Sequence, residues 1–184
     1  MNDTTHALAI RELIDRLSRL NAAEDWNGPL NPSQFAALAY LARANRFSRS
    51  PSHVADYLAT TRGTASQTLK ALARKKLINE TRSEADKRSI RYDVTGDGRA
   101  LLDEPASDLS DVIDELPSET VECLAGSLKT LVLAILRKRS GRSFGICRSC
   151  RHFAPQAGGG YCSLLEVPLN KSDSEEICHE HEAA

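Results

Sequence analysis

Four cysteines near the end of the chain, Cys147, Cys150, Cys162 and Cys178, form a C-x2-C pair followed by 11 and 15 intervening residues. Thiolates are soft donors, and four of them within one short segment make the set that tetrahedral metal ligation requires. Gly158-Gly159-Gly160 and Pro168 lie between them and allow the backbone to turn. From Ser143 onward helical periodicity stops and apolar residues are few. Such a segment gains its folding energy from a bound metal rather than from a core of its own. The expected metal ligands are therefore Cys147, Cys150, Cys162 and Cys178. His179 or His181 could replace Cys178 as the fourth, and His152 is expected beside the ligands rather than among them. A fifth cysteine, Cys123, stands among small polar residues on the flank of a helical stripe and is expected to be a buried, inert thiol.

A second set of residues has the chemistry to read a nucleic acid. Arg62, Thr64, Ser66, Gln67 and Lys70 share the polar face of one predicted helix, and none is acidic. The opposite face carries Ala65, Leu69 and Leu72 at i, i+4, i+7. Just upstream, Val54 and Leu58 mark a shorter helix, and Ala59-Thr60-Thr61 leaves room only for a tight turn in which Thr61 caps the second helix. This is the helix-turn-helix pattern, whose second helix enters a major groove roughly 12 Å wide. A β-hairpin follows Leu77-Ile78: its tip is Glu84-Ala85-Asp86-Lys87, and in its second strand Ile90, Tyr92 and Val94 alternate with Ser89, Arg91 and Asp93. Arg82, Lys87 and Arg88 give this wing phosphate or minor-groove contacts.

Charge distribution agrees. From Asn31 to Arg99 there are 13 Lys/Arg against 6 Asp/Glu, although the whole chain has a net charge of -1. Residues Asp103 to Glu122 hold 8 acidic residues and no basic one, so that stretch belongs on the side away from phosphates.

Asn31-Pro32-Ser33-Gln34 before an apolar helix, the helix-turn-helix, Asp86-Lys87-Arg88-Ser89, and Val94-Thr95-Gly96-Asp97-Gly98 together resemble the MarR family of winged helix-turn-helix regulators over roughly residues 5 to 139. The resemblance implies an obligate homodimer on a pseudo-palindromic operator, commonly a repressor relieved by a small-molecule effector or an oxidant. It also implies that Asp86 braces Arg88 in the minor groove while Arg62, Thr64, Ser66 and Gln67 face the major groove. Lys76 departs from the pattern, since that family usually has Gly after the recognition helix. The cysteine segment resembles something else. Zinc ribbons bring two C-x2-C pairs; one pair with two separate cysteines is similar to iron-sulfur segments of high-potential-type proteins and of small subunits of some glycyl-radical enzymes, where aromatics such as Phe153 and Tyr161 shield a cluster. Zn2+ and an iron-sulfur cluster both stay open as cofactors, with a lean toward iron-sulfur.

The remaining elements are those that must position these two sets. A first helix, capped by Asp3 or Thr4, carries Ile10, Leu13, Ile14, Leu17 and Leu20, and has no local partner. Trp26 is read as a packing plug in the connection to Pro32, which opens a second helix presenting Phe35, Leu38, Ala39 and Leu41 and ending near Asn45. Thr95 caps a short helix through Leu101 and Leu102. Ser118 is expected to cap the longest helix, running to about Arg139, with Val121, Leu124, Leu128, Leu131, Val132, Ile135 and Leu136 on one stripe. That stripe and the orphan first helix argue for a helical dimer interface.

The expected fold is therefore mainly α with a small β-hairpin wing. Residues 5–139 form the winged helix-turn-helix and dimerisation domain, with a DNA-binding core at 31–99, and residues 143–184 form the metal module. Aromatic content of 5% leaves Leu and Ala to build the core. The longest apolar run, Leu131 to Leu136, falls far short of the roughly 20 residues of a membrane span, and the polar N-terminus lacks a signal peptide, so no membrane partner is expected and the location is read as cytoplasmic. The partners expected are double-stranded DNA and a second copy of the chain. An enzyme is not expected, for want of a nucleophile set, a phosphate loop or paired carboxylates. The alternative reading is a small iron-sulfur redox protein whose winged domain serves protein contacts.

Overall fold

The computed structural model describes residues 3–25, 28–82, 90–103, 108–139 and 141–184. Asn31 begins the first buried helix by accepting a hydrogen bond from the Gln34 amide at 2.9 Å, with Pro32 in the position where a missing N-H costs nothing. This helix, α2 (Pro32–Arg43), follows α1 (Asp3–Asp25) and buries Ala37, Leu38, Tyr40 and Leu41. Next come α3 (Pro51–Tyr57) and α4 (Arg62–Arg74), the two helices of the helix-turn-helix. Val54, Ala65, Leu69 and Leu72 face one another and α2 in a single apolar core that Leu30, Ile78 and Tyr92 complete.

Both helices of the motif end the same way. Ala59 and Lys76 have φ of 49° and 61°, the left-handed region. The amides of Ala59 and Thr60 return to the carbonyls of Asp56 and Ala55, and those of Lys76 and Leu77 to Ala73 and Leu72. This is the Schellman closure, normally made with glycine because other residues bring a Cβ into contact with the backbone. The position where the family pattern has Gly thus keeps its geometry with a lysine.

The wing is an antiparallel pair, β1 (Ile78–Arg82) and β2 (Ile90–Val94), with Ile78 opposite Val94 and Arg82 opposite Ile90. Thr95 caps α5 (Gly96–Leu102) by accepting from the Gly98 amide, as expected. Two helices follow, α6 (Asp108–Glu115) and α7 (Ser118–Lys138). Here two expectations change. Pro117, not Ser118, occupies the capping position and no side chain caps the helix; α1, with 23 residues, is longer than α7, with 21. Leu13, Leu17 and Leu20 of α1 are at least half exposed, and Leu124, Leu128, Val132 and Ile135 of α7 are 42–53% exposed. Cys123 is exposed rather than buried, because the face of α7 that carries it has no cover among the described residues.

The C-terminal segment has structure that periodicity did not reveal. It forms a 3-10 turn (Cys147–Ser149), a three-stranded antiparallel sheet of β3 (Phe153–Gln156), β4 (Gly159–Cys162) and β5 (Val167–Asn170), and the short α8 (Lys171–Glu175). Gly158, with φ of 86°, turns β3 into β4. No described helix is long and apolar enough to cross a membrane.

Candidate nucleic-acid interface and thiolate cluster

The polar face of α4 is positioned by its apolar one. With Ala65, Leu69 and Leu72 buried, Arg62, Thr64, Gln67 and Lys70 are exposed and Ser66 is half-buried. Thr61 starts the helix by accepting from the Thr64 amide at 3.1 Å, and its hydroxyl also meets that of Thr64 at 2.8 Å. None of Arg62, Gln67 and Lys70 is held by a described ion pair. Arg82, at the end of β1, is exposed and pairs with Glu80 at 2.9 Å. Glu80 also accepts from the Tyr92 hydroxyl at 3.0 Å, and the Arg82 contact first, then Tyr92, holds its carboxyl below the usual range. Burial, then the hydrogen bond to Glu80, pushes Tyr92 up to about 12. Asp86, Lys87 and Arg88, expected at the wing tip, and Trp26 lie outside the described residues.

The four cysteines converge. Cys147, Cys150, Cys162 and Cys178 are between 4 and 9% exposed, and three of them share a cluster with Leu169, flanked by Phe47, Phe153, Leu165 and Val167. Cys162 stands opposite Phe153 across the β3–β4 ladder, and a side chain at Gly160 would strike the Phe153 ring. Cys147 and Cys178 share a hydrogen bond. It raises the Cys147 thiol, which burial raises further, and lowers Cys178, helped by the nearby side chains of Asn45 and Ser48 against the opposing effect of burial. The Glu182 amide donates to the Cys150 sulfur at 3.4 Å. The two histidines after Cys178 have partners of their own in the fold. His181 meets the hydroxyls of Ser143 at 2.7 Å and Ser149 at 3.0 Å, packed so closely on Gly145 that a Cβ there would clash with the ring. Both ring nitrogens of His179 face carboxylates. His152 lies 3.5 Å from Glu182.

Residues that local patterns did not single out join the two sites. Ile177 lies in the core of the winged domain at 2% exposure. Its amide donates to the Arg43 carbonyl at 2.8 Å, and its carbonyl accepts from the Asn45 amide at 2.9 Å. On the other side of Cys178, the His179 amide donates to Ser48 Oγ at 2.8 Å, and Ser48 Oγ donates to Asn45 Oδ1 at 2.8 Å. The Tyr40 hydroxyl holds the Ser48 carbonyl at 2.7 Å. Arg49 reaches Asp93 of β2 at 2.8 Å, Glu176 at 3.5 Å and the Ala44 carbonyl at 2.7 Å. The Cys178 segment therefore sits in the corner between α2 and α3, and Arg49 connects that corner to the wing.

A MarR family model matches residues 29–89, which contain the helix-turn-helix and none of the clustered cysteines. No curated protein matches the chain. Solved structures share its fold. The S. aureus MepR–DNA complex is 20% identical, covers 70% of this chain and 96% of its own, and has a TM-score of 0.56. FabT of Streptococcus pneumoniae in complex with DNA is 17% identical, covers 73% and 97%, and has a TM-score of 0.55. A MarR transcriptional regulator from Methanosarcina mazei Go1 is 19% identical, covers 73% and 99%, and has a TM-score of 0.60.

Proposed function

We propose that this chain is a DNA-binding transcriptional regulator of the MarR type, acting as a homodimeric repressor on a pseudo-palindromic operator, with a four-thiolate metal module that reports redox or iron state. The observation that carries the reading is the face of α4: an uninterrupted set of donors, Arg62, Thr64, Gln67 and Lys70, on a helix anchored by three buried residues. Solved complexes of the same fold with DNA support it. Gln67 and Arg62 would read base edges, Lys70, Arg82 and Lys87 would meet phosphates, and Arg88, braced by Asp86, would enter the minor groove. The exposed apolar stripes of α1 and α7 would pair with a second copy and set the spacing of two recognition helices one helical turn apart.

Cys147, Cys150, Cys162 and Cys178 would hold the metal. Four sulfurs in an apolar surround of Phe47, Phe153, Leu165, Val167 and Leu169 suit either Zn2+ or an iron-sulfur cluster, and the single C-x2-C pair leans toward the cluster. A cluster supplies a reversible one-electron change or, on loss, release of its ligands. Release of Cys178 would free its neighbours Ile177 and His179 from the α2–α3 corner, and the displacement would act on α3 and, through Arg49, on the wing.

Selection of duplexes from a random library tests the DNA reading. The expected product is an inverted repeat, and Gln67→Ala should weaken binding to it about tenfold or more at matched salt, the range of a lost bidentate base contact. Absence of any salt-dependent DNA binding, together with a reversible cluster potential, would instead favour a redox protein using its winged domain for protein contacts. Visible absorption and metal content of anaerobically purified protein decide the cofactor; a colourless, zinc-replete sample removes the iron-sulfur version.

A further inference from the structure

Where α3 meets the C-terminal segment, a second set of side chains with metal-ligand chemistry gathers beside Cys178. His53 and Asp56 come from α3, and His179 and Glu180 from the chain after α8. The two imidazoles stack with centroids 3.8 Å apart at 24°. His179 Nε2 lies 3.1 Å from Asp56 Oδ2, and its Nδ1 lies 3.1 Å from Glu180 Oε1. A carboxylate only accepts, so two of them on one ring call for positive charge there, which either a second ring proton or a bound cation would supply. His53 Nδ1 is closed off from solvent and makes no hydrogen bond of ordinary geometry with any of the described residues.

One donor atom each from His53, His179 and Glu180 lies within 4.8 Å of the others, a grouping found here among the described residues. We infer that these three side chains bind one divalent transition ion, with zinc as the simplest occupant. Two imidazoles and a carboxylate are borderline donors of the kind such ions prefer, and in-plane bonds of about 2.0–2.2 Å would draw the three atoms closer together and tilt the stacked rings out of parallel. Asp56, on the far nitrogen of His179, is the positioning residue, since a carboxylate on the second ring nitrogen fixes the tautomer and aims the first at the metal. His53 and Glu180 line a cleft of about 480 Å³ with room for a water ligand; Arg46, Arg49, Arg82 and Arg91 also border it, so the carboxylates must outweigh their charge for a cation to enter. Because two of these side chains belong to the helix-turn-helix and two to the tail, the ion would latch one to the other independently of the thiolates.

The test uses the full-length protein with its thiolate complement first quantified and loaded. Zn2+ titration by calorimetry should show one additional equivalent per chain in the unsubstituted protein, absent in His53→Gln and in Glu180→Gln, while both variants keep the same thiolate-bound metal and helical circular dichroism. Asp56→Asn should bind that equivalent about tenfold more weakly or worse. Co2+ in the additional site should give ligand-field bands without thiolate charge transfer. No additional equivalent in the unsubstituted protein would overturn the proposal and leave an imidazolium between two carboxylates as the explanation of the geometry. Thiolate charge transfer from the added Co2+, or full retention of the equivalent in both variants, would overturn it as well. Loss of the thiolate metal alone would count against the cysteine module and not against this site.

Discussion

In the winged domain Leu38, Leu41, Leu69 and Leu72 are fully buried, and they come from helices whose apolar residues recur at three- and four-residue intervals. In the C-terminal module the buried set is Cys147, Cys162, Leu169 and Cys178, in short strands and turns without such a period. The first region closes on itself by the ordinary hydrophobic effect, since each buried leucine contributes roughly 1.5–3 kcal/mol relative to exposure. The second has sulfur where the first has leucine, and it borrows core from its neighbour by sending Ile177 across. A region with too little apolar surface to fold by itself can still be ordered by a shared core, and that dependence makes it a lever on the region it leans on.

The comparison can be broken first at the proposed dimer. Leu128→Asp combined with Leu13→Asp should convert a dimer to a monomer by sedimentation analysis and lower operator affinity by at least a hundredfold, because each half-site then binds alone. A dimer that survives would show that the stripes of α1 and α7 do not form the interface. Metal removal comes next. Anaerobic chelation should open residues 143–184 to protease well before the helices around Leu69 are cut, as expected of a segment folded by its metal. Ile177→Ala should cost about 2–5 kcal/mol in the unfolding of the winged domain, although it lies in the other segment by sequence, whereas Val167→Ala on the module's own sheet should leave that transition unchanged. Arg49→Ala should cost about 2 kcal/mol in denaturant unfolding, since its side chain is mostly buried against Asp93 and Glu176. The smallest effects belong to the left-handed helix ends. Lys76→Gly and Ala59→Gly should each raise stability by up to about 1 kcal/mol, the relief of a Cβ at positive φ less the entropy glycine adds to the unfolded chain.

A pH series sharpens the same contrast inside the winged domain. Tyr92 ordinarily ionises near 10 and is held up to about 12 in the fold. Between those values the folded state keeps a proton that the unfolded state has lost, so stability is level below about pH 10 and declines as pH rises toward 12. Tyr92→Phe should lessen that decline, as followed by denaturant unfolding across the alkaline range, and the remainder belongs to Tyr40, whose hydroxyl burial also holds above its ordinary value.

Much of the fold was legible because it is local. The spacing of Val54, Leu58, Ala65, Leu69 and Leu72, the Thr61 and Thr95 caps, and the alternation of Ile90, Tyr92 and Val94 each depend on residues within a few positions, and the structure bears them out. Of the four cysteines marked by their spacing, all are buried and three share one cluster. The errors have local causes too. Ser118 was a reasonable cap by type, yet Pro117 takes that position and leaves the helix without a side-chain cap. Cys123 was judged by its neighbours in sequence, whereas its exposure depends on what covers α7.

What the sequence determined by itself, then, was the set of elements and the two groups of side chains able to do chemistry, because helix period, capping and ligand spacing are properties of adjacent residues. Only the tertiary structure decided that Ile177 belongs to the winged core, that Asn45, Ser48 and Arg49 tie the thiolates to the helix-turn-helix, and that His53 meets His179. Those contacts join residues more than 120 positions apart, and no periodicity encodes which distant surface a short segment will find; shape and hydrogen-bond satisfaction in the folded chain settle it.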